Sequence, residues 1–364
     1  MTIHKSKMDW LEEMVPKHNR LTSAIEPLLK SLLATKGIDF LNVQGRTKSE
    51  KSILEKCDRK NYSDPAKQLT DISGIRIITF LESQVKEIVD LVRSNFDIDE
   101  ENSLDRDEIL GSDRMGYRSS HFICTLSNSR ETLPEYEGLQ GLKFELQIRT
   151  VLQHAWAELA HDRSFKLGLE LPRQIQRKLN LYSGMLEIVD SAFDEIAQEV
   201  DEYRSSLNER HVDQIWEADI NSISLEQYLN EVSKNQNIKL TKMEVPTEVI
   251  EELRRFGLET IGDLARISTP KLMTEITDRT TTATGLLRDI MMLDDLDKYF
   301  SKKPAWGVIA LAESKPLVLK YGPEKLARHL NNWDIHLLVD DDIWVRNYGD
   351  MISAFKKLMS PTRR

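Results

Sequence analysis

The stretch LKFELQIRTVLQHAWAELAHDRSFK, from Leu142 to Lys166, constrains the fold more than any other part of the chain. Its first half alternates with a period of two. Phe144, Leu146 and Ile148 fall on one face of a strand, and Glu145, Gln147 and Arg149 fall on the other. A helix-like stretch follows, with Trp156, His161 and Lys166. Such a strand needs a core against its apolar face. Its polar face needs either solvent, which explains it without any function, or a ligand.

The surrounding chain supplies the rest of a sheet. GIRIITF (Gly74 to Phe80) is rich in β-branched residues and reads as a buried strand. FLNVQGRTK and SSHFICTL read as further strands, and Phe96 to Ser103 as an edge strand. SEKSILEKCDRK reads as a helix with Ser49 as N-cap, and SQVKEIVDLVRSNF as a helix packed beside the buried strand. A longer helix is expected from about Asp9 to Lys36, where Trp10, Met14, Leu21, Ile25, Leu28, Leu29 and Leu32 share a stripe and Gly37 is the stop. Pro172 opens another long helix. Its apolar residues Ile175, Leu179, Tyr182, Leu186, Val189, Phe193, Ile196 and Val200 recur at steps of three or four, a stripe that either closes the first domain or pairs with another subunit. Interleaved strands and helices imply an α+β fold with a mixed sheet flanked by helices.

A chain of 364 residues exceeds one ordinary core and calls for two or three domains. The expected division is a first domain over residues 1–205, a polar connector over 206–241, and a mainly helical C-terminal region over 242–364. Within the last, VPTEVIEELRRFGLETIGDLARISTPKLMTEI resembles a helix-hairpin-helix unit, and Trp306, Trp333 and Trp344 are expected in a core. The net charge of −10 argues against broad, sequence-independent nucleic-acid binding. Cys57 and Cys124 lie in no metal-ligand pattern and read as free, buried thiols. No run of about 18 apolar residues is present, so no membrane partner is expected and the location expected is cytoplasmic.

The chemistry-bearing residues cluster in order. Arg46 and Lys48, then Ser52 and Lys56 one helical turn apart, aim cations and a hydroxyl into one corner. Asp71 precedes the buried strand and Arg76 lies inside it. A lone Arg there needs a partner, such as Asp71, or an anionic ligand. MGYRSSH offers Tyr117 as an aromatic plate, with Ser119 and His121 on alternate positions. Asp71 and Glu145, at strand ends, are hard oxygen donors suited to Mg2+ when substrate phosphates supply the remaining ligands. No GxxxxGK[ST] loop occurs, so a nucleotide would be held by side chains.

Taken in order, GRTKSEKSILEK, DISGIR, GYRSSH and FELQIRTVLQHAWAELAH…FK resemble the synthetase domain of the RelA/SpoT family, over roughly residues 10–205. The resemblance implies a nucleotidyltransferase-like mixed sheet and transfer of the β,γ-diphosphate of ATP to the ribose 3′-hydroxyl of GDP or GTP. It implies that Asp71 and Glu145 hold Mg2+ and that Arg46, Lys48, Ser52, Lys56 and Arg76 serve ATP. Tyr117 would stack on the acceptor guanine, with His121, Gln147 and Arg149 near the acceptor or the phosphates. Glu145 and a metal-bound water both remain open as the base.

The sequence departs from the family pattern in three places. Arg114, beside Asp113, stands where a Lys is common. Ala160 precedes His161 in place of a Glu, and the helix ends Phe165–Lys166 in place of Tyr–Lys. Only about 40 residues precede Arg46, so a short synthetase-only member, possible as a homo-oligomer, is expected. The alternative is a toxin-type member that pyrophosphorylates the 3′ end of tRNA and is restrained by its C-terminal region or an antitoxin.

Overall fold

The computed structural model describes residues 2–103, 120–160, 172–209, 216–276, 280–340 and 343–360. The chain divides into two compact units, Met1–Glu199 and Val200–Arg364. Among the described residues no helix is long and apolar enough to cross a membrane.

In the first unit the order is α1 (Thr2–Lys36), β1 (Asn42–Thr47), α2 (Glu50–Lys60), α3 (Pro65–Gln68), β2 (Ser73–Thr79), α4 (Glu82–Asn95), β3 (Phe96–Ile98), β4 (Ser120–Leu126), α5 (Asn128–Glu131), β5 (Phe144–Thr150), α6 (Val151–Ala160) and the greater part of α7 (Arg173–Glu209), whose residues from Val200 on belong to the second unit. The sheet runs β1-β2-β5-β4-β3. β2 and β5 are parallel, and the other pairs are antiparallel. β3 lies at the edge, as expected.

Strand alternation sorts the side chains as the sequence implies. Val43, Ile75, Ile77, Phe122, Cys124, Phe144, Leu146 and Ile148 form one core with Leu21, Ile25, Leu29 and Leu33 of α1 and Val85, Ile88, Leu91 and Val92 of α4. The buried line on α1 runs through Leu11 and Leu33, one step away from the expected Trp10 and Leu32, which are half-buried. Leu11 joins Ile53, Cys57, Leu69 and Ile72 in a smaller cluster that seats α2 against the turn carrying Asp71. Cys57 and Cys124 are buried thiols in no disulfide, and burial pushes the Cys124 thiol up to about 12.

Gly45 explains how closely α1 lies on β1. A Cβ there would sit 2.6 Å from Thr22 Cγ2. Its backbone N–H, on an edge strand, donates to Glu26 Oε2 at 2.8 Å, so α1 also satisfies an edge donor. Ser49 caps α2 by accepting from the Ser52 N–H, and Asn61 ends it in the left-handed region, φ 51°.

α7 differs from α1, α2 and α4. Its buried side chains within the first unit are polar: Ser183 and Asp190. Thr150 Oγ1 donates to Asp190 Oδ2 at 2.5 Å, and Asp194 Oδ1 accepts from the N–H and Oγ of Ser83 at 3.1 and 2.5 Å. Ile175, Tyr182, Val189, Phe193 and Ile196 of the expected apolar stripe are exposed. The stripe therefore does not close the core of the first unit, because polar groups already occupy the side of the helix that faces the sheet.

The second unit is mainly helical. Residues read as a connector contribute Leu207, Ile220, Leu225 and Leu229 to its core, beside Val249, Leu253, Leu264, Leu286, Ile290, Leu330 and Phe355. Helices Thr247–Arg255 and Ile261–Ile267 are joined by a tight turn through Gly257, φ 85°, and Thr260 caps the second. Strands Val308–Ala310, His336–Asp340 and Ile343–Val345 form a small sheet with the middle one central. Trp306 and Trp333 pack partly against the core. Trp344 does not: it lies on the edge strand Ile343–Val345 and is exposed.

Candidate active site

The register places the polar side chains in two rows across the sheet. Gln44, Arg76, Gln147 and His121 stand opposite one another, and Arg46, Gly74, Glu145 and Ile123 form the next row. This face is not a solvated one. The Glu145 and His121 side chains are largely buried, and Arg149 is buried although it is charged. Charged groups held out of water need partners. His121 Nδ1 lies 3.1 Å from Glu145 Oε1, Gln147 Nε2 donates to Glu145 Oε2 at 3.0 Å, and Arg149 donates to Gln147 Oε1 at 2.8 Å. Burial alone would raise the Glu145 carboxyl. The hydrogen bond and charge of His121 outweigh it, with help from Gln147, and hold the carboxyl below its usual range even though the negative charge of Asp71 opposes them. Ser73 at the start of β2 pairs with Phe144 at the start of β5, so Asp71, just before β2, and Glu145 lie at the same end of two adjacent parallel strands.

Asp71 sits in the turn before β2. Burial pushes its carboxyl up, but hydrogen bonds and charge from Lys48 and Lys56 prevail and keep it ionised. Both ammonium groups reach Oδ2, that of Lys56 at 2.5 Å. Oδ1 is buried and has no hydrogen-bond partner among the described residues. Lys48 is set by the last residues of β1 and by its backbone N–H, which donates to Ile72 O at 2.9 Å. Lys56 and Ser52 lie half-buried on α2, one turn apart. Ser52 Oγ lies 3.0 Å from Ser49 Oγ, within the cap. Arg46 is exposed and, among the described residues, has no ion pair. The expected corner therefore forms around Asp71 with Lys48 and Lys56, and Arg46 projects outward from it.

Arg76 does not pair with Asp71. Its NH1 lies 2.9 Å from Glu158 Oε1 on α6. His154, one turn before Glu158, points to the same place, with Nδ1 3.8 Å from the carboxylate. Burial first, then the charges of Arg76 and Arg149, lower the His154 pKa, while Glu158 opposes them. Sequence reasoning missed both residues. The signal was present: a strand Arg in need of a partner, followed by His and Glu at i,i+4 directly after the polar strand. Tyr117 lies outside the described residues, as do Arg114 and His161 to Lys166.

Two ionised carboxylates at neighbouring strand ends, one with a buried unpartnered oxygen, form a donor set of the kind Mg2+ takes when a polyphosphate completes its shell. Among the described residues no group of three or more His, Cys, Asp or Glu gathers anywhere, so this set would depend on substrate oxygens. Lys48 and Lys56 rest on Asp71, and Arg76 and Arg149 lie further along β2 and β5, on Glu158 and Gln147.

Residues 45–170 match the family model described as "Region found in RelA / SpoT proteins". The chain is 29% identical over 164 residues to GTP pyrophosphokinase YwaC of Bacillus subtilis (strain 168), covering 44% of this chain and 75% of that one. It is 27% identical over 171 residues to GTP pyrophosphokinase YjbM of the same organism, covering 46% and 77%. Among solved structures it is similar to the small alarmone synthetase 1 from Bacillus subtilis, with a TM-score of 0.45 and 24% identity over 53% of this chain and 99% of that one. The first unit thus carries a RelA/SpoT region, and the matched residues span every described site residue.

Proposed function

We propose, on the premise of that RelA/SpoT region, that the first unit transfers the β,γ-diphosphate of ATP to the 3′-hydroxyl of GDP or GTP. The observation that carries this reading is Asp71, held by Lys48 and Lys56 with one oxygen buried and unpartnered among the described residues, at the same strand end as Glu145. The two curated relatives named as GTP pyrophosphokinases support it.

The residues suit the step. The 3′-oxygen bonds to the β-phosphorus of ATP, the bond from that phosphorus to the α,β-bridging oxygen breaks, and AMP leaves. The donor is highly charged, so the protein contributes position and positive charge. Lys48 and Lys56 rest on Asp71 Oδ2 and can pass to the polyphosphate, which frees that oxygen beside the unpartnered Oδ1. Arg46, free of partners among the described residues, and Arg76, held only by the exposed Glu158, are available to the same chain of phosphates. Asp71 and Glu145 would hold Mg2+, which supplies neutralisation of the polyphosphate charge when bound. His121, Gln147 and Arg149 line the acceptor side. The hydroxyl proton has two receivers there, Glu145 and the imidazole hydrogen-bonded to it. Tyr117 is assigned to the acceptor base on the family motif.

The test is an acceptor assay on the whole chain with Mg2+ and γ-labelled ATP, offering GDP, GTP or total tRNA separately. Label on a guanosine nucleotide is expected, and Asp71→Ala should reduce it at least about a hundredfold. Label on tRNA alone would overturn the acceptor and leave the donor half standing. Transfer undiminished in Asp71→Ala would overturn the site.

A further inference from the structure

Three of the four cations assigned to the donor already rest on a carboxylate. Lys48 and Lys56 share Asp71, and Arg76 has Glu158, with NH1 2.9 Å from Oε1. The two carboxylates differ in what they can do once a polyphosphate takes their cations. Asp71 lies at the strand end that carries Glu145, where Mg2+ would accept it. Glu158 lies on α6, beyond the other end of β5, thirteen residues after Glu145.

The Arg76–Glu158 pair is not what holds α6 in place. Gln153 does that: its Oε1 accepts from the Thr150 N–H and its own N–H donates to Thr150 Oγ1, both at 3.1 Å, and Thr150 is tied in turn to Asp190. The Glu158 side chain is 58% exposed and that of Arg76 is 32% exposed. An ion pair this wet is weak and screened. A triphosphate, with several charges and many acceptor oxygens, competes well for the same guanidinium.

Once displaced, Glu158 has no second cation to turn to. Among the described residues its only other charged neighbour is His154, 3.8 Å away. Burial first, and then the charge of Arg76, lower the His154 pKa, so the imidazole is neutral at pH 7. The carboxylate therefore stays ionised beside the phosphates that displaced it, and like charges repel.

We propose that Glu158 sets the affinity for the donor nucleotide. It occupies Arg76 in the free protein, yields it to the polyphosphate and then repels that polyphosphate, so ATP binds less tightly than the cations alone would allow. The inference rests on the proposed reaction for the identity of the donor.

The experiment is isothermal titration calorimetry of the whole chain with ATP and Mg2+ and no acceptor, at low and high salt, with far-UV circular dichroism of every variant. Glu158→Gln keeps an acceptor for the guanidinium and removes the charge, whereas Glu158→Ala removes both. Each should lower the Kd for ATP about two- to fivefold at low salt, the range an exposed ion pair allows, and by less at high salt. In the acceptor assay the KM for ATP should fall by the same factor, and the KM for the guanosine nucleotide should not. Arg76→Gln should weaken ATP binding, and adding Glu158→Gln to it should return less than half of the gain, because that gain comes mostly from freeing Arg76. A Kd unchanged or raised by Glu158→Gln overturns the inference. So does a gain as large in the Arg76→Gln background, and so does weaker binding in Glu158→Ala alone, which would make Glu158 a group that positions Arg76 for the donor. A wild type that binds ATP and labels no guanosine nucleotide overturns the proposed acceptor; tighter binding by Glu158→Gln would then still uphold the role of Glu158.

Discussion

α1 and α7 are nearly equal in length, 35 and 37 residues, and each carries an apolar stripe at helical spacing. They use it in opposite ways. α1 presses Leu21, Ile25, Leu29 and Leu33 completely out of solvent. α7 faces its own sheet with Ser183, Asp190 and Asp194 and leaves its apolar arc outside. The periodicity of a helix says that one face will be covered. What covers it depends on the chemistry of the opposite face, and in α7 that face is already engaged by Thr150 and Ser83.

The largest expected contrast comes from deleting apolar volume on the two helices. Leu29→Ala removes a fully buried side chain between α1 and the sheet and should cost about 3 kcal/mol of first-unit stability in urea unfolding. Ile188→Ala, measured under conditions that keep the chain monomeric, should cost less than about 0.5 kcal/mol. Equal losses would break the comparison.

A smaller effect tests the fit of α1 on β1. Gly45→Ala places a methyl 2.6 Å from Thr22 Cγ2 and should cost about 1–2 kcal/mol in the same measurement. Gly45→Ala combined with Thr22→Ser, which removes the opposing methyl, should recover most of it.

The smallest sharpens the account of α7's inner side. Burial raises the Asp190 carboxyl to about 6, against the hydrogen bond from Thr150 and with the charges of Glu82 and Asp194. A carboxyl raised in the folded state binds its proton more tightly there than in the unfolded chain. Its ionisation therefore costs stability progressively from about pH 4 to pH 6, and the cost is complete above that window. Asp190→Asn should be more stable than wild type by about 1 kcal/mol at pH 7.5, and the two should converge near pH 4. An advantage independent of pH would refute this account.

Much of the site was legible because strands alternate. Glu145, Gln147 and Arg149 were bound to share a face opposite Phe144, Leu146 and Ile148, and the N-cap at Ser49 fixed where α2 begins. The partners of the charges were not legible. Arg76 found Glu158, 82 residues away, and the lysines found Asp71, because pairing at that separation depends on which elements meet across the sheet.

The sequence by itself determined the periods: which segments are strands or helices, and which side chains travel together on each face. That information is local, because backbone geometry fixes it within a few residues. Only the tertiary structure decided which of those faces meet. It buried the polar row of β5 where a solvated strand was the simpler reading, and it left the apolar arc of α7 outside where a core was. Both decisions rest on long-range contacts, Glu145 with His121 and Asp190 with Thr150, in which the cost of burying a charge is met only by a partner from a distant part of the chain.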